Sequence, residues 1–144
     1  MSTMIHPMSC GKSGDKSASK RILVVDDEPA ILFAYKKLLE KEGIEVDICE
    51  CLCDAIKQLK SCSYFAVIAD MRLEGTDNED GLEVLRAIRE EQADIKVILV
   101  TGYGCKEIEQ RAIEMGASYY FEKPVSPSIV LETLNRLHQD AEVS

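Results

Sequence analysis

Apolar residues arrive along this chain in two rhythms. Short apolar runs at 22–25, 64–69, 95–100 and 119–121, unbroken over 65–69 and 97–100, alternate with longer segments in which apolar residues recur every three or four positions. Runs of that length bounded by polar residues read as strands buried on both faces, and the periodic segments read as helices with one apolar stripe. Val46 and Ile48, alternating with Glu45 and Asp47, predict a further strand over 45–49 nearer a sheet edge. Helices are expected over 29–42, 53–61, 82–92, 106–115 and 127–138. In the first, Ile31, Leu32, Tyr35, Leu38 and Leu39 form the stripe, Pro29 suits the first turn and Gly43 supplies the stop.

Five strands alternating with five helices predict an α/β fold with a doubly wound parallel sheet. Parallel neighbours need crossover connections, and these place helices on both faces. Such a sheet opens the carboxyl ends of its strands on one edge, where distant residues meet in a crevice. The runs end at Asp26 and Asp27, at Asp70, at Thr101, and just before Lys123-Pro124. Three carboxylates, a hydroxyl and an ammonium are therefore expected in one place.

Carboxylates crowded together stay ionised only if a cation compensates them. Mg²⁺ fits, because it prefers hard oxygen donors and is commonly held by one or two carboxylates plus a phosphate oxygen. Asp26, Asp27 and Asp70 could hold it, and phosphoryl transfer to Asp70 becomes chemically reasonable, since that reaction needs mainly positioning and charge neutralisation. Lys123 would add a second positive charge and Thr101 a hydrogen bond to the phosphoryl oxygens. Taken one at a time, Asp26-Asp27 reads equally well as a helix cap, Thr101 as a strand residue and Lys123-Pro124 as a turn. Their joint placement favours the site.

The motifs LVVDDEP, VIADMRL, DGLEVLR, VILVTGY and FEKP, in this order over residues 20–139, resemble the receiver domain of bacterial two-component response regulators. The resemblance implies a flavodoxin-like sheet of strand order 2-1-3-4-5. It also implies a phosphoryl group accepted on Asp70 from a sensor histidine kinase or phosphotransfer protein, and a downstream protein target. By the same resemblance Asp27 is a direct Mg²⁺ ligand, Asp26 acts partly through water, and the Arg72 backbone carbonyl completes the protein ligands. Thr101 and Tyr120 would form the switch, and Lys123-Pro124 would be a cis peptide, which X-Pro bonds favour. The chain is thus expected to be a signalling module rather than an enzyme, with self-catalysed gain and loss of the phosphoryl group. Phosphorelay intermediate and phosphorylation-independent scaffold are the alternatives.

The chain departs from that pattern after Asp70, where MRLEGTDNE is about three residues longer than usual and acidic at Glu74, Asp77, Glu79 and Asp80. Arg72 and Tyr103 are large for their positions and are expected to flank the path of an attacking water. A flavin-binding module would need a donor-rich phosphate loop where DDEPA stands. An aspartate-nucleophile phosphohydrolase would place its nucleophile after the first strand and need a cap.

The length of 144 residues suits one domain. The expected limits are an N-terminal tail over 1–19, rich in Ser, Gly and Lys, a receiver domain over 20–140 and a short tail over 141–144. A net charge of −9 argues against direct nucleic-acid binding and against an anionic membrane surface, and favours a partner with basic patches. A stand-alone cytoplasmic protein, monomeric or weakly dimeric, is expected, with Glu107, Gln110, Arg111 and Arg136 as exposed residues of a partner face. The six cysteines, Cys10, Cys49, Cys51, Cys53, Cys62 and Cys105, are expected reduced. The C-x-C-x-C spacing at 49–53 lacks a matching ligand pair for structural zinc, so packing is its expected role. His6 and His138 have no catalytic context.

Overall fold

The computed structural model describes residues 21–70, 78–102 and 106–143. Among them, strands β1 (Ile22–Val25), β2 (Val46–Cys49), β3 (Ala66–Asp70), β4 (Lys96–Thr101) and β5 (Tyr119–Glu122) form one parallel sheet in the order β2-β1-β3-β4-β5. Between and after them run helices α1 (Pro29–Lys41), α2 (Leu52–Ser61), α3 (Asn78–Glu91), α4 (Lys106–Glu114) and α5 (Pro127–Val143). The fold is the flavodoxin-like arrangement expected.

Strand periodicity sorts the core into two layers. Leu23, Val25, Val67, Ala69, Val97 and Leu99 face α2, α3 and α4, meeting Leu59, Leu85 and Ile88 there. Ile22, Val24, Ile68, Ile98 and Val100 face α1 and α5, meeting Leu32, Leu39, Val130 and Leu134. The central strands β1, β3 and β4 are therefore buried at successive apolar positions, whereas the edge strand β2 buries Val46 and Cys49 and leaves Ile48 exposed.

Side chains close several gaps that backbone pairing leaves. Gln92 donates through Nε2 to the carbonyls of Leu59 and Cys62, both at 2.7 Å, and accepts the Tyr64 amide at 3.2 Å. It thereby ties the end of α2 to the strand that follows. Arg89 donates to the Ile95 carbonyl at 3.2 Å and lies over Gly116, whose φ of +110° suits glycine after α4. On the opposite edge Arg21 pairs with Glu45 at 2.8 Å and Asp47 at 3.1 Å, and Tyr64 donates its hydroxyl to Asp47 at 2.5 Å.

Two helices differ from expectation in length. Helix α3 begins at Asn78 rather than at residue 82, because its first turn carries polar residues that leave no apolar period to read. Helix α5 runs to Val143, past the expected end at His138 and into the stretch read as a tail. Cys49, Cys51 and Cys53 are free, with Cys49 buried, Cys51 half-buried and Cys53 exposed. Cys62 is disulfide-bonded, which corrects the expectation of six reduced thiols: sequence spacing alone does not reveal which sulfurs meet in space. Residues 1–20, Arg72, Glu74, Asp77, Tyr103 and Cys105 lie outside the described residues. No helix among the described residues is long and apolar enough to cross a membrane.

Candidate functional site

The β1–β3 register sets Val25 beside Ala69, so the residues that follow, Asp26 and Asp70, meet at the carboxyl edge of the sheet. Strand parity turns both towards the α1 and α5 side, the side taken by Val24 and Ile68. Asp26 and Asp70 are almost wholly buried, at 5% and 3% exposure, while Asp27 is exposed at the start of the turn into α1. One carboxylate oxygen from each of the three lies within 4.8 Å of the others. Hard oxygen donors at that spacing fit a small divalent cation such as Mg²⁺, with coordination positions left over for water and a phosphate oxygen.

The turn into α1 is built around Asp26. Its Oδ1 accepts the Glu28 amide at 3.0 Å, and Pro29 then starts the helix without needing a donor of its own. Burial is the largest influence on this carboxyl group and raises its pKa from 3.8 to about 6. Asp70 and Asp27 push the same way, against the Glu28 amide and the Lys123 ammonium. Negative charge at this position is costly without a nearby cation.

Lys123 supplies part of that compensation. It follows β5, its amide donates to the Thr101 carbonyl at 2.7 Å, and its Nζ lies 2.9 Å from Asp70 Oδ2. The Lys123–Pro124 peptide bond is cis. Thr101 ends β4 and is buried, in register with Glu122. Tyr120 is half-buried, two residues before Glu122 and on the same sheet face as Thr101, where it packs against the α2–α4 core. The Arg72 carbonyl, the remaining expected ligand, is outside the described residues.

Sequence reasoning counted Tyr35 as one more member of the α1 stripe. The structure places it in the wall of a cavity of about 340 Å³ that Asp26, Asp70 and Lys123 also line, closed on its other sides by Ile31, Ile68, Val100 and Val125. Burial, then Asp26 and Asp70, push the Tyr35 phenol up to about 12. A helical period shows which face a residue occupies but not how close its far end comes to a neighbouring charge.

Residues 22–135 match the response regulator receiver domain family. The chain is 32% identical over 119 residues to the photosynthetic apparatus regulatory protein RegA of Rhodobacter capsulatus, covering 81% of this chain and 62% of that protein. It is 33% identical over 131 residues to the transcriptional regulatory protein ResD of Bacillus subtilis, covering 90% and 53% respectively. The chain thus spans little more than half the length of these curated relatives. Among solved structures, the receiver domain protein (CheY-like) of Methanospirillum hungatei JF-1 superimposes with a TM-score of 0.76 at 31% identity, covering 86% of this chain and 98% of that one. The beryllofluoride-activated NtrC4 receiver domain dimer gives 0.75 at 33% identity, covering 84% and 98%.

Proposed function

The chain belongs to the response regulator receiver domain family, whose members are signalling modules rather than enzymes in the usual sense, and on that premise we propose that Asp70 is its phosphoryl acceptor. The observation that carries this is the set of three carboxylates gathered within 4.8 Å, with Lys123 Nζ 2.9 Å from Asp70 Oδ2. The donor is the phosphohistidine of a sensor kinase or phosphotransfer protein, and the output is a change in affinity for a partner protein. The receiver works in the cytoplasm and makes no direct contact with nucleic acid itself, in keeping with its net charge of −9. The receiver is taken to span residues 20–140, with α5 continuing to Val143.

In the transfer, a carboxylate oxygen of Asp70 bonds to phosphorus as the phosphorus–nitrogen bond to the donor imidazole breaks. The electron pair of that bond stays on the imidazole nitrogen. Asp26 and Asp27, with Asp70 itself and the Arg72 carbonyl, would hold Mg²⁺. Bound there, Mg²⁺ supplies neutralisation of charge on the phosphoryl oxygens. Lys123, already paired with the carboxylate, follows the charge onto the phosphoryl group. The Thr101 hydroxyl donates a hydrogen bond to the same group and Tyr120 takes up the space that Thr101 leaves. The shared sheet face of Thr101 and Tyr120 supports that coupling. Arg72 and Tyr103, outside the described residues, would by their bulk slow the loss of the phosphoryl group.

The test is intact mass after incubation with acetyl phosphate and Mg²⁺, with Asp70→Asn and chelator-treated samples as controls. A single phosphoryl adduct that needs both Asp70 and the metal is expected. Its absence, together with failure to bind beryllofluoride, would make the chain a phosphorylation-independent scaffold.

A further inference from the structure

The cavity beside Asp26 and Asp70 has walls that phosphoryl transfer does not use. Ile31, Ala34 and Tyr35 come to it from α1, and Val125 and Pro127 from the segment leading into α5. At about 340 Å³ it reaches the lower end of the range in which proteins hold small organic molecules. Metal and phosphoryl oxygens need a polar cradle at the sheet edge, whereas this extension is apolar apart from one phenol and the charged residues of its rim.

That phenol is the second observation. Tyr35 is 5% exposed and lines the cavity, so a ligand seated there can exchange a hydrogen bond with its hydroxyl. The influence of Asp26 and Asp70 on the same phenol places it on the acidic side of the cavity. Charge then selects the ligand. Among the described residues of the rim, Asp26, Glu28 and Asp70 stand against Lys123, so an ammonium head is favoured and a carboxylate head is repelled.

We propose that this cavity binds a small organic amine with an aromatic or branched apolar body, its ammonium group on the Asp26 and Asp70 side and a polar atom on the Tyr35 hydroxyl. Such an amine uses carboxylates that would also hold the metal, so the two ligands exclude each other and each weakens the other by the same factor. This consequence for signalling rests on the phosphoryl-acceptor reading, whereas the binding itself does not.

The experiment is a titration of the full chain, metal-free, with tryptamine at millimolar concentration, followed by amide NMR shifts, with indole-3-acetate as the anionic counterpart of similar size. Tryptamine is expected to shift amides of α1 and the 124–127 segment and to bind at least about tenfold more tightly than indole-3-acetate. Tyr35→Phe, which keeps the ring and removes the hydroxyl, should weaken tryptamine about fivefold, the worth of one neutral hydrogen bond. Ala34→Leu, at an exposed position of α1 that tolerates leucine, should narrow the cavity and weaken binding at least about tenfold. No saturable shift with tryptamine, equal binding of both indoles, or unchanged binding by Ala34→Leu would overturn the proposal. Magnesium is left out, so these outcomes are separate from the acetyl phosphate experiment, which alone decides whether Asp70 accepts a phosphoryl group.

Discussion

Replacing Asp26 with asparagine keeps the shape of the side chain and the oxygen that accepts the Glu28 amide, but removes a charge from a position only 5% exposed. Burial raises the Asp26 pKa from 3.8 to about 6, so the folded chain holds this proton more tightly than the unfolded chain does. Well below pH 4 the group is protonated in both states and costs nothing. As pH rises from about 4 to about 6 the unfolded chain ionises first and folding loses stability, a loss that is complete above the folded pKa. Two units at about 1.4 kcal/mol each make the full penalty about 3 kcal/mol. Metal-free Asp26→Asn should therefore be more stable than the wild type by about 2–3 kcal/mol near pH 7.5, and by about 1 kcal/mol near pH 4.5. Urea unfolding followed by circular dichroism reads this directly. With a slope of about 2 kcal/mol per molar, the midpoint should rise by about 1–1.5 M at the higher pH. Saturating Mg²⁺ should raise the wild-type midpoint and leave the variant nearly unmoved, because binding to the native state alone stabilises it. Coincident midpoints near pH 7.5, or a gap that persists undiminished near pH 4.5, would refute the reasoning.

Lys123→Gln removes the cation 2.9 Å from Asp70 and should slow adduct formation from acetyl phosphate by about 10-fold to 100-fold, read by an intact-mass time course; an unchanged rate would remove Lys123 from the transfer step. Gly116→Ala puts a Cβ 2.7 Å from Arg89 Nε at a φ of +110°, and should cost about 1–3 kcal/mol in urea unfolding as Arg89 gives way and the backbone strains. Gln92→Ala strips two carbonyls and one amide of their partner and should cost about 2–3 kcal/mol, with faster amide exchange at Tyr64.

The sheet and the acidic edge were legible because each rests on a local signal. Unbroken apolar runs identify strands covered on both faces, and the polar residue ending each run falls at the carboxyl edge wherever the neighbours are parallel. Asp26, Asp70 and Thr101 were placed at the edge in that way, and Lys123 follows one residue after Glu122, the polar residue that ends the last run. Residues that work across elements left no such mark. Gln92 read as the end of α3, although its amide fastens the end of α2, and no sequence period links residue 92 with 59 and 62. Tyr35 read as core, since apolar periodicity gives a helix face but not what the hydroxyl approaches. The first turn of α3 was missed for a physical reason too: Asn78, Glu79, Asp80 and Gly81 offer no apolar residue from which a period can be read.

Lys123 reaches Asp70 across 53 residues of sequence and from the opposite side of β4 in the sheet. A ribosome adds that lysine after every carboxylate of the cluster has been made. Until β5 has docked, the three carboxylates stand together without the ammonium that the finished domain places beside Asp70. On the phosphoryl-acceptor reading proposed above, a half-made or partly unravelled copy is mute rather than misleading. The sheet edge that the proposal makes the receiver of the signal would then also certify that the domain has been finished.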